Sequence, residues 1–252
     1  MKSSKLILLV VCEVAVAVAA AVCVINHNEK NEDHYVLPED FTVTAHTGCE
    51  GTADNSLESI RAGASAGADI VEIDLHFMPD GTPVLCHDTP EDNSCPTLDS
   101  AFELLKELEV KMNVDVKSAA NISAVKSLAE KHGVLDKIFF TGVEEEKVQT
   151  VKNGAPGIAY FLNVSVDKRK NTDTEYINSL IEKVKACGAV GINMNYKGCS
   201  GPLVEAFRRE NLLVSLWTAN SKRAMKRCLS FEPDNITTRK PAELIGLMTG
   251  AE

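Results

Sequence analysis

The sequence has no excess of positive charge and few aromatic residues. Its 252 residues include 26 Lys and Arg against 36 Asp and Glu, a net charge of −10, and only 5% are aromatic. A basic surface that could neutralise a nucleic-acid backbone is therefore not expected, which argues against a nucleic-acid partner. Because 44% of the residues are apolar and only 9 are proline, the chain is predicted to be folded, not disordered.

The cysteines lack the spacing of a zinc site or of a CxxC redox motif. Six of the eight follow the N-terminal apolar segment, namely Cys49, Cys86, Cys95, Cys187, Cys199 and Cys228. Outside the cytoplasm these thiols could oxidise, but a chain of this length does not need disulfides to fold. The sequence alone does not pair them.

One long apolar run lies at the N-terminus. Residues 6–25 read LILLVVCEVAVAVAAAVCVI, with Glu13 as the only charge, and two lysines precede them. At about 1.5 Å per residue this helix would match the ~30 Å hydrocarbon core, so residues 1–25 are predicted to be a transmembrane anchor. A cleaved signal segment is the alternative. The rest of the chain is therefore expected to be extracytoplasmic, anchored to the membrane or secreted. Residues 26–40 are polar and predicted to be a linker.

Residues 41–250 alternate short apolar strands with amphipathic helices through eight units. This alternation predicts a parallel sheet, and eight units predict closure into a (β/α)8 TIM-type barrel of the α/β class. An open doubly wound sheet is the alternative, and it should carry a glycine-rich phosphate loop after its first strand. The corresponding stretch, HTGCEGTADNS, fits neither GxGxxG nor a P-loop. The barrel is therefore the favoured fold.

Charged side chains mark the ends of two predicted strands. Glu72 and Asp74 share one face of the strand ADIVEID, and Asp115 and Lys117 share a face at the end of the next. Carboxylates within an apolar strand are costly unless they are paired or bind a cation. Three of them at one barrel mouth would suit one divalent cation, Ca²⁺ or Mg²⁺. The alternative is a structural ion pair of Lys117 with Glu72 or Asp74.

Two histidines end strands on the same side. His46 ends the first strand, and His87 ends a return strand that follows a tight turn at Asp80-Gly81. Two imidazoles beside a carboxylate cluster are typical of a general acid and a general base. Asn55 lies in the segment that follows the first strand and is predicted to cap the following helix.

Several of these motifs together resemble the glycerophosphodiester phosphodiesterase family. They are AHTGCEGTADNSLESI, GADIVEIDLHFMPDGTPVLCHD, LWTAN and NITTRKP, which run from about Thr44 to Pro241. The resemblance implies that His46 and His87 are catalytic. It also implies metal ligands at Glu72, Asp74 and Asp115, with substrate contacts from Lys117, Asn55 and Trp217.

The chain departs from the family pattern at four places. Thr47 stands where the family has Arg, which is expected to hold a phosphate oxygen and which a hydroxyl cannot replace. Ala53-Asp54 replaces Pro-Glu, and Asp115 replaces Glu. The stretch between Asp88 and Leu98 is short. Without the family Arg, the phosphate is expected to depend more on the metal and Lys117.

The resemblance implies a metal-dependent hydrolase that splits glycerophosphodiesters into an alcohol and glycerol phosphate, in lipid or glycerol-phosphate polymer metabolism. Two alternatives stay open. One is a related phospholipase or lyase that acts on intact lipids, and the other is a non-catalytic, membrane-tethered barrel that binds phosphate esters. The polar loops TGCEGTADNS and DTPEDNSCPT favour soluble head groups over intact lipids. The oligomeric state is not indicated.

Overall fold

Eight parallel strands close into a barrel, and one antiparallel strand is added to it. The computed structural model describes residues 35–249. The strands are β1 (Thr42–Ala45), β2 (Ile70–Phe77), β3 (Pro83–Leu85), β4 (Lys111–Val116), β5 (Ile138–Val143), β6 (Tyr160–Asn163), β7 (Gly191–Asn195), β8 (Leu213–Trp217) and β9 (Asn235–Thr238). β1 pairs in parallel with both β2 and β9, which closes the barrel, and β3 runs antiparallel to β2. The predicted (β/α)8 fold is confirmed.

A helix follows each barrel strand. The helices are α1 (Leu57–Ser65), α2 (Leu98–Lys106), α3 (Ile122–His132), α4 (Val148–Gly154), α5 (Thr174–Cys187), α6 (Gly201–Arg209), α7 (Lys222–Leu229) and α8 (Pro241–Thr249). Side-chain oxygens cap the first turn of α1, α2, α5, α6 and α7. Ser, Thr and Asp are favoured there because they accept from backbone N–H groups that have no helical partner.

The strand β2 shows how the sequence positions the site. Val71, Ile73 and Leu75 are at most 1% exposed. Val71 meets α1, where a Cβ added to Gly63 would lie 3.1 Å from its Cγ1. Burial of such side chains contributes about 1.5–3 kcal/mol each. Because side chains alternate along a strand, the residues between them, Glu72 and Asp74, point to the barrel interior.

No helix within residues 35–249 is long and apolar enough to cross a membrane. The predicted anchor at residues 1–25 and most of the predicted linker at 26–40 lie outside the described residues. The anchor and the localisation therefore stay predictions.

Candidate functional site

A cavity of about 420 Å³ opens at the carboxyl ends of the barrel strands. Parallel strands deliver their last side chains to the same rim, which is where barrel enzymes hold their active sites. Seven of the residues singled out in the sequence line this cavity: His46, Glu72, Asp74, His87, Asp115, Lys117 and Trp217. The eighth, Asn55, lies behind Asp74 and is not part of the cavity wall.

The three predicted metal ligands converge. One carboxylate oxygen from each of Glu72, Asp74 and Asp115 lies within 4.8 Å of the other two. Glu72 and Asp74 are 5% and 3% exposed. Burial and repulsion by Asp74 and Asp115 raise the pKa of Glu72 well above its usual value. A divalent cation would relieve this repulsion, and an all-oxygen donor set fits Ca²⁺ or Mg²⁺.

Lys117 forms an ion pair within this cluster. Its Nζ atom lies 3.0 Å from Asp74 Oδ1 and 2.5 Å from Asp115 Oδ2. Burial disfavours the ammonium, but attraction by Asp115 and Asp74 outweighs burial and raises the pKa of Lys117. The sequence offered an ion pair of Lys117 with Glu72 or Asp74 as the alternative to a metal site. The structure contains the pair with Asp74, and Lys117 also pairs with Asp115. It leaves Glu72 without the lysine, so the pair alone does not balance the three carboxylates.

Each carboxylate is also oriented by a polar neighbour. The Thr47 backbone N–H donates to Glu72 Oε2 at 2.8 Å, and Thr141 Oγ1 donates to Asp115 Oδ1 at 2.6 Å. Asn55 Nδ2 donates to Asp74 Oδ2 at 2.9 Å. Such contacts hold metal ligands in their binding orientation.

The predicted role of Asn55 as a helix cap is wrong. The N-cap of α1 is Ser56, whose hydroxyl accepts from the Ser59 N–H at 3.0 Å. Asn55 has a left-handed backbone, with φ of 54°, which Asn tolerates better than most residues. This conformation places its side chain toward Asp74 instead of toward the helix.

His46 is held at one edge of the cavity. Its Nδ1 atom lies 2.9 Å from the carbonyl oxygen of Thr47. Because a carbonyl oxygen only accepts, Nδ1 must carry the proton, and Nε2 of the neutral ring keeps its lone pair. Burial lowers the pKa of His46, and the positive charge of Arg239 lowers it further.

His87 is held more loosely. Its side chain is 66% exposed, and its Nδ1 atom lies 2.8 Å from Oδ1 of Asp88, which is itself 92% exposed. The loop between β3 and α2 therefore brings His87 to the cavity without enclosing it.

Arg239 was not singled out in the sequence, although it follows β9 as His46 follows β1. It lines the cavity, and its Nη2 atom lies 3.0 Å from Asp54 Oδ2. The sequence signal that could have identified Arg239 is a positively charged side chain one residue after a barrel strand. Thr47, which stands where the family has Arg, is 1% exposed and does not line the cavity.

Trp217 stands between two cavities. A second cavity of about 420 Å³ shares Trp217 and Asn163 with the first and also reaches Lys168 and Lys197. Trp217 Nε1 is buried and has no hydrogen-bond partner within residues 35–249. An indole N–H in this condition can donate to a bound molecule.

Comparison with known proteins identifies the family. The model of the Glycerophosphoryl diester phosphodiesterase family matches residues 44–102 and 89–243. A glycerophosphodiester phosphodiesterase of Caldanaerobacter subterraneus subsp. tengcongensis is 21% identical over 248 residues, which cover 82% of this chain and 97% of that protein. Glycerophosphodiester phosphodiesterase 1 of Bos taurus is 26% identical over 194 residues, 68% of this chain and 56% of that protein.

Solved structures of low sequence identity share the fold. An Oleispira antarctica phosphodiesterase in complex with the product sn-glycerol-3-phosphate superposes with a TM-score of 0.71 at 20% identity, covering 84% of this chain and 97% of that chain. A glycerophosphodiester phosphodiesterase from Agrobacterium tumefaciens gives a TM-score of 0.64 at 18% identity, covering 83% of this chain and 99% of that chain. The chain thus belongs to the glycerophosphoryl diester phosphodiesterase family and is a phosphodiesterase.

Proposed function

We propose that this phosphodiesterase hydrolyses glycerophosphodiesters and releases an alcohol and glycerol phosphate. The convergence of Glu72, Asp74 and Asp115 in a cavity that is also lined by His46 and His87 carries the proposal. These groups are an oxygen donor set for a cation and two imidazoles for proton transfer, a combination that suits phosphodiester cleavage.

The three carboxylates would hold one divalent cation, Ca²⁺ or Mg²⁺. When bound, this cation supplies positive charge that offsets the negative charge developing on a phosphate oxygen. Lys117 contacts both Asp74 and Asp115, so its ammonium would lie beside the same phosphate. Lys117, beside the carboxylates that would hold the cation, would thereby help to position the phosphate relative to the two histidines.

We assign the proton transfers from the positions of the imidazole nitrogens. His46 donates from Nδ1 to the Thr47 carbonyl, so its Nε2 lone pair is free to accept the proton of the attacking hydroxyl. When that hydroxyl belongs to water, glycerol phosphate forms directly. When it belongs to the glycerol of the substrate, a cyclic glycerol phosphate forms, and a water molecule must then open it, with the two histidines in exchanged roles. His87 then donates a proton to the oxygen of the departing alcohol as the bond between phosphorus and oxygen breaks. Asp88, hydrogen-bonded to Nδ1, orients this ring.

A structural relative supports the proposal that one half of the substrate is glycerol phosphate. The Oleispira antarctica phosphodiesterase, which shares the fold, is described in complex with sn-glycerol-3-phosphate as its product. We propose that Trp217 walls the glycerol side of the cavity here. The adjoining cavity between the loops after β6 and β7 provides room for the other half of the diester.

We further propose that the enzyme is anchored to the membrane by residues 1–25, or secreted if that segment is cleaved, with an extracytoplasmic barrel. The support is the apolar run LILLVVCEVAVAVAAAVCVI. Substrates in this setting would come from deacylated lipids or glycerol-phosphate polymers.

A substrate panel tests the proposed function. The full chain, purified in detergent, is assayed with glycerophosphocholine, glycerophosphoethanolamine, glycerophosphoglycerol and intact phosphatidylcholine, with Ca²⁺, with Mg²⁺ or with EDTA. We expect glycerol phosphate from at least one deacylated diester, only with a cation. Turnover of intact lipid alone would favour the phospholipase alternative. No turnover of any member would favour the phosphate-binding barrel.

A further inference from the structure

We infer that Arg239 supplies the guanidinium contact to the substrate phosphate that residue 47 cannot supply. The inference rests on the proposed function, because it concerns the phosphate held in the same cavity. Relatives with Arg in place of Thr47 would present this charge from the end of β1. Here it comes from the end of β9, the strand that pairs with β1.

Thr47 is committed to the loop itself. Its backbone N–H donates to Glu72, and its Oγ1 atom accepts from the backbone N–H of Asn55 at 2.5 Å. At 1% exposure it does not reach the cavity. Thr47 therefore braces Glu72, a proposed metal ligand, and Asn55, which orients Asp74, and it makes no contact with a phosphate in the cavity.

The backbone of Arg239 is fixed on two sides. Its N–H donates to Asn220 Oδ1 at 2.8 Å, and its carbonyl accepts from the N–H of Glu50 at 2.9 Å. These contacts tie the end of β9 to the loops after β8 and β1. The side chain, 39% exposed, reaches the cavity from this anchored position.

The loop after His46 leaves space for the Arg239–Asp54 ion pair. Gly48 has a left-handed φ of 72°. A Cβ atom there would lie 1.9 Å from Asp54 Oδ1 and 3.2 Å from Arg239 Nη1. The Arg239 guanidinium thus lies beside Gly48, two residues after the proposed general base His46. Its positive charge also lowers the pKa of His46.

The Arg239 guanidinium has donors that its ion pair with Asp54 does not use. Asp54 takes one guanidinium N–H in this structure, and an arginine has five. The remaining donors are available to a phosphate, whose oxygens suit the planar fork. Asp54 and Thr47 therefore match a guanidinium that enters from β9 and adds to the charge of the Lys117 ammonium, which contacts Asp74 and Asp115.

The test compares Arg239→Gln and Arg239→Lys with the wild type. We expect Arg239→Gln to lower kcat/KM for glycerophosphocholine, and the affinity for sn-glycerol 3-phosphate, by about 10- to 100-fold. Arg239→Lys should be intermediate, since it keeps the charge but loses the fork. Ca²⁺ affinity, measured by calorimetry without substrate, should not change, which separates a phosphate contact from damage to the metal site.

Lys240→Gln is the matched control, because this neighbouring side chain is 54% exposed and pairs with Glu243 at 3.1 Å. It should leave all three quantities unchanged. Near-normal kcat/KM and product affinity in Arg239→Gln would overturn the inference. If the wild type cleaves no diester, the proposed function fails separately, and loss of product affinity in Arg239→Gln would still support the contact.

A different feature carries a second proposal. We propose that Cys86 and Cys95 form a disulfide that closes the loop carrying His87. Val84 and Thr97 form an antiparallel bridge, and the Leu85 N–H donates to the Pro96 carbonyl at 2.8 Å. Continuing this register by one more residue on each side places Cys86 opposite Cys95.

The expected geometry of this pair suits a disulfide. Because Leu85 and Pro96 occupy the hydrogen-bonded position, the next pair is non-hydrogen-bonded, with Cα atoms about 4.5 Å apart. Disulfides span Cα distances of about 4.4–6.8 Å. Both thiols are free here and only partly buried, whereas Cys49, Cys187, Cys199 and Cys228 are buried. Burial and interaction with the Cys86 thiol raise the pKa of Cys95 to about 11.

Oxidation would restrain a loosely held part of the site. Each thiol loses one hydrogen, the sulfurs join, and a disulfide such as oxidised glutathione is reduced to two thiols. The closed loop runs from His87 to Ser94, and the His87 side chain is 66% exposed. The bond would limit the positions that His87 can take relative to the cavity.

Peptide mapping tests the disulfide without reference to activity. The full chain is equilibrated with oxidised glutathione, alkylated, and cut after Glu91 by a glutamyl protease. We expect the fragments containing Cys86 and Cys95 to stay joined, and to separate after reduction or in Cys86→Ser. Two alkylated, separate fragments would overturn the pairing.

A second measurement tests the restraint on His87. Reduction should lower kcat of the wild type at least about twofold, but not that of the double serine variant. An unchanged kcat would overturn the restraint on His87.

Discussion

Asn55 and Asp74 exchange two hydrogen bonds across the loop that follows β1. Asn55 Nδ2 donates to Asp74 Oδ2 at 2.9 Å, and the Asp74 backbone N–H donates to Asn55 Oδ1 at 2.9 Å. Both residues are buried, with exposures of 8% and 3%. This reciprocal contact fixes Asp74, one of the three proposed metal ligands, by a residue that does not itself reach the cavity.

Asn55→Gly should weaken divalent-cation binding by about tenfold, because the orienting contact to Asp74 is lost while the left-handed backbone is retained. Calorimetric titration with Ca²⁺ measures this. Ser56→Ala is the control. It removes the cap of α1 and should lower thermal stability, but it should leave cation affinity unchanged. Equal affinities for Asn55→Gly and the wild type would remove Asn55 from the metal site.

His46→Ala and His87→Ala should each lower kcat by ~10²–10⁴, because each removes one proton transfer. Steady-state hydrolysis of the best diester checks this. His76→Ala serves as the control, since His76 lies on β2 but does not line the cavity. Near-normal turnover in either of the first two variants would exclude that histidine from the mechanism.

Thr47→Val should destabilise the fold by about 1–3 kcal/mol, because it leaves the buried Asn55 N–H without its acceptor. Urea unfolding measures the loss. Thr52→Val, which removes a hydroxyl hydrogen bond of 2.7 Å to the Cys49 carbonyl in the same loop, is the comparison. A Thr47→Val variant as stable as the wild type would show that the hydroxyl has no bracing role.

Asp99→Asn should lower stability at neutral pH by about 0.5 kcal/mol, since Asp99 is 48% exposed and its ion pairs are screened. Hydrogen bonds from Lys131 and His132 lower the pKa of Asp99 in the folded chain. A depressed folded pKa stabilises above the unfolded pKa and loses this effect as pH falls through the folded value. The difference from the wild type should therefore be present above about pH 5 and shrink below about pH 4. A difference that grows in acid would contradict this sign.

The sequence indicated the barrel and most of the site because both depend on local pattern. Glu72 and Asp74 are charged residues in an apolar strand, and His46 stands at a strand end, so their convergence follows from the geometry of parallel strands. Asn55 was misjudged because its left-handed backbone redirects a side chain that otherwise suits a helix cap. Residue type alone does not reveal that turn.

The contacts that depend on the exact register of distant segments were not predicted. Arg239 and Asp54 are 185 positions apart, and only closure of the barrel between β1 and β9 brings them together. The pairing of Cys86 with Cys95 depends on the register beside β3, which no spacing rule sets. Residues whose role depends on tertiary register therefore stayed outside the sequence-based prediction.

A cation titration of the metal-stripped chain tests the central claim most directly. Glycerophosphodiester hydrolysis and cation binding are followed together as Ca²⁺ or Mg²⁺ is added, in the wild type and in Asp74→Asn. We predict no turnover at the start, and activity that rises with a single saturable site and is lost in the variant. Full turnover by the stripped chain, or binding that Asp74→Asn leaves intact, would contradict the account.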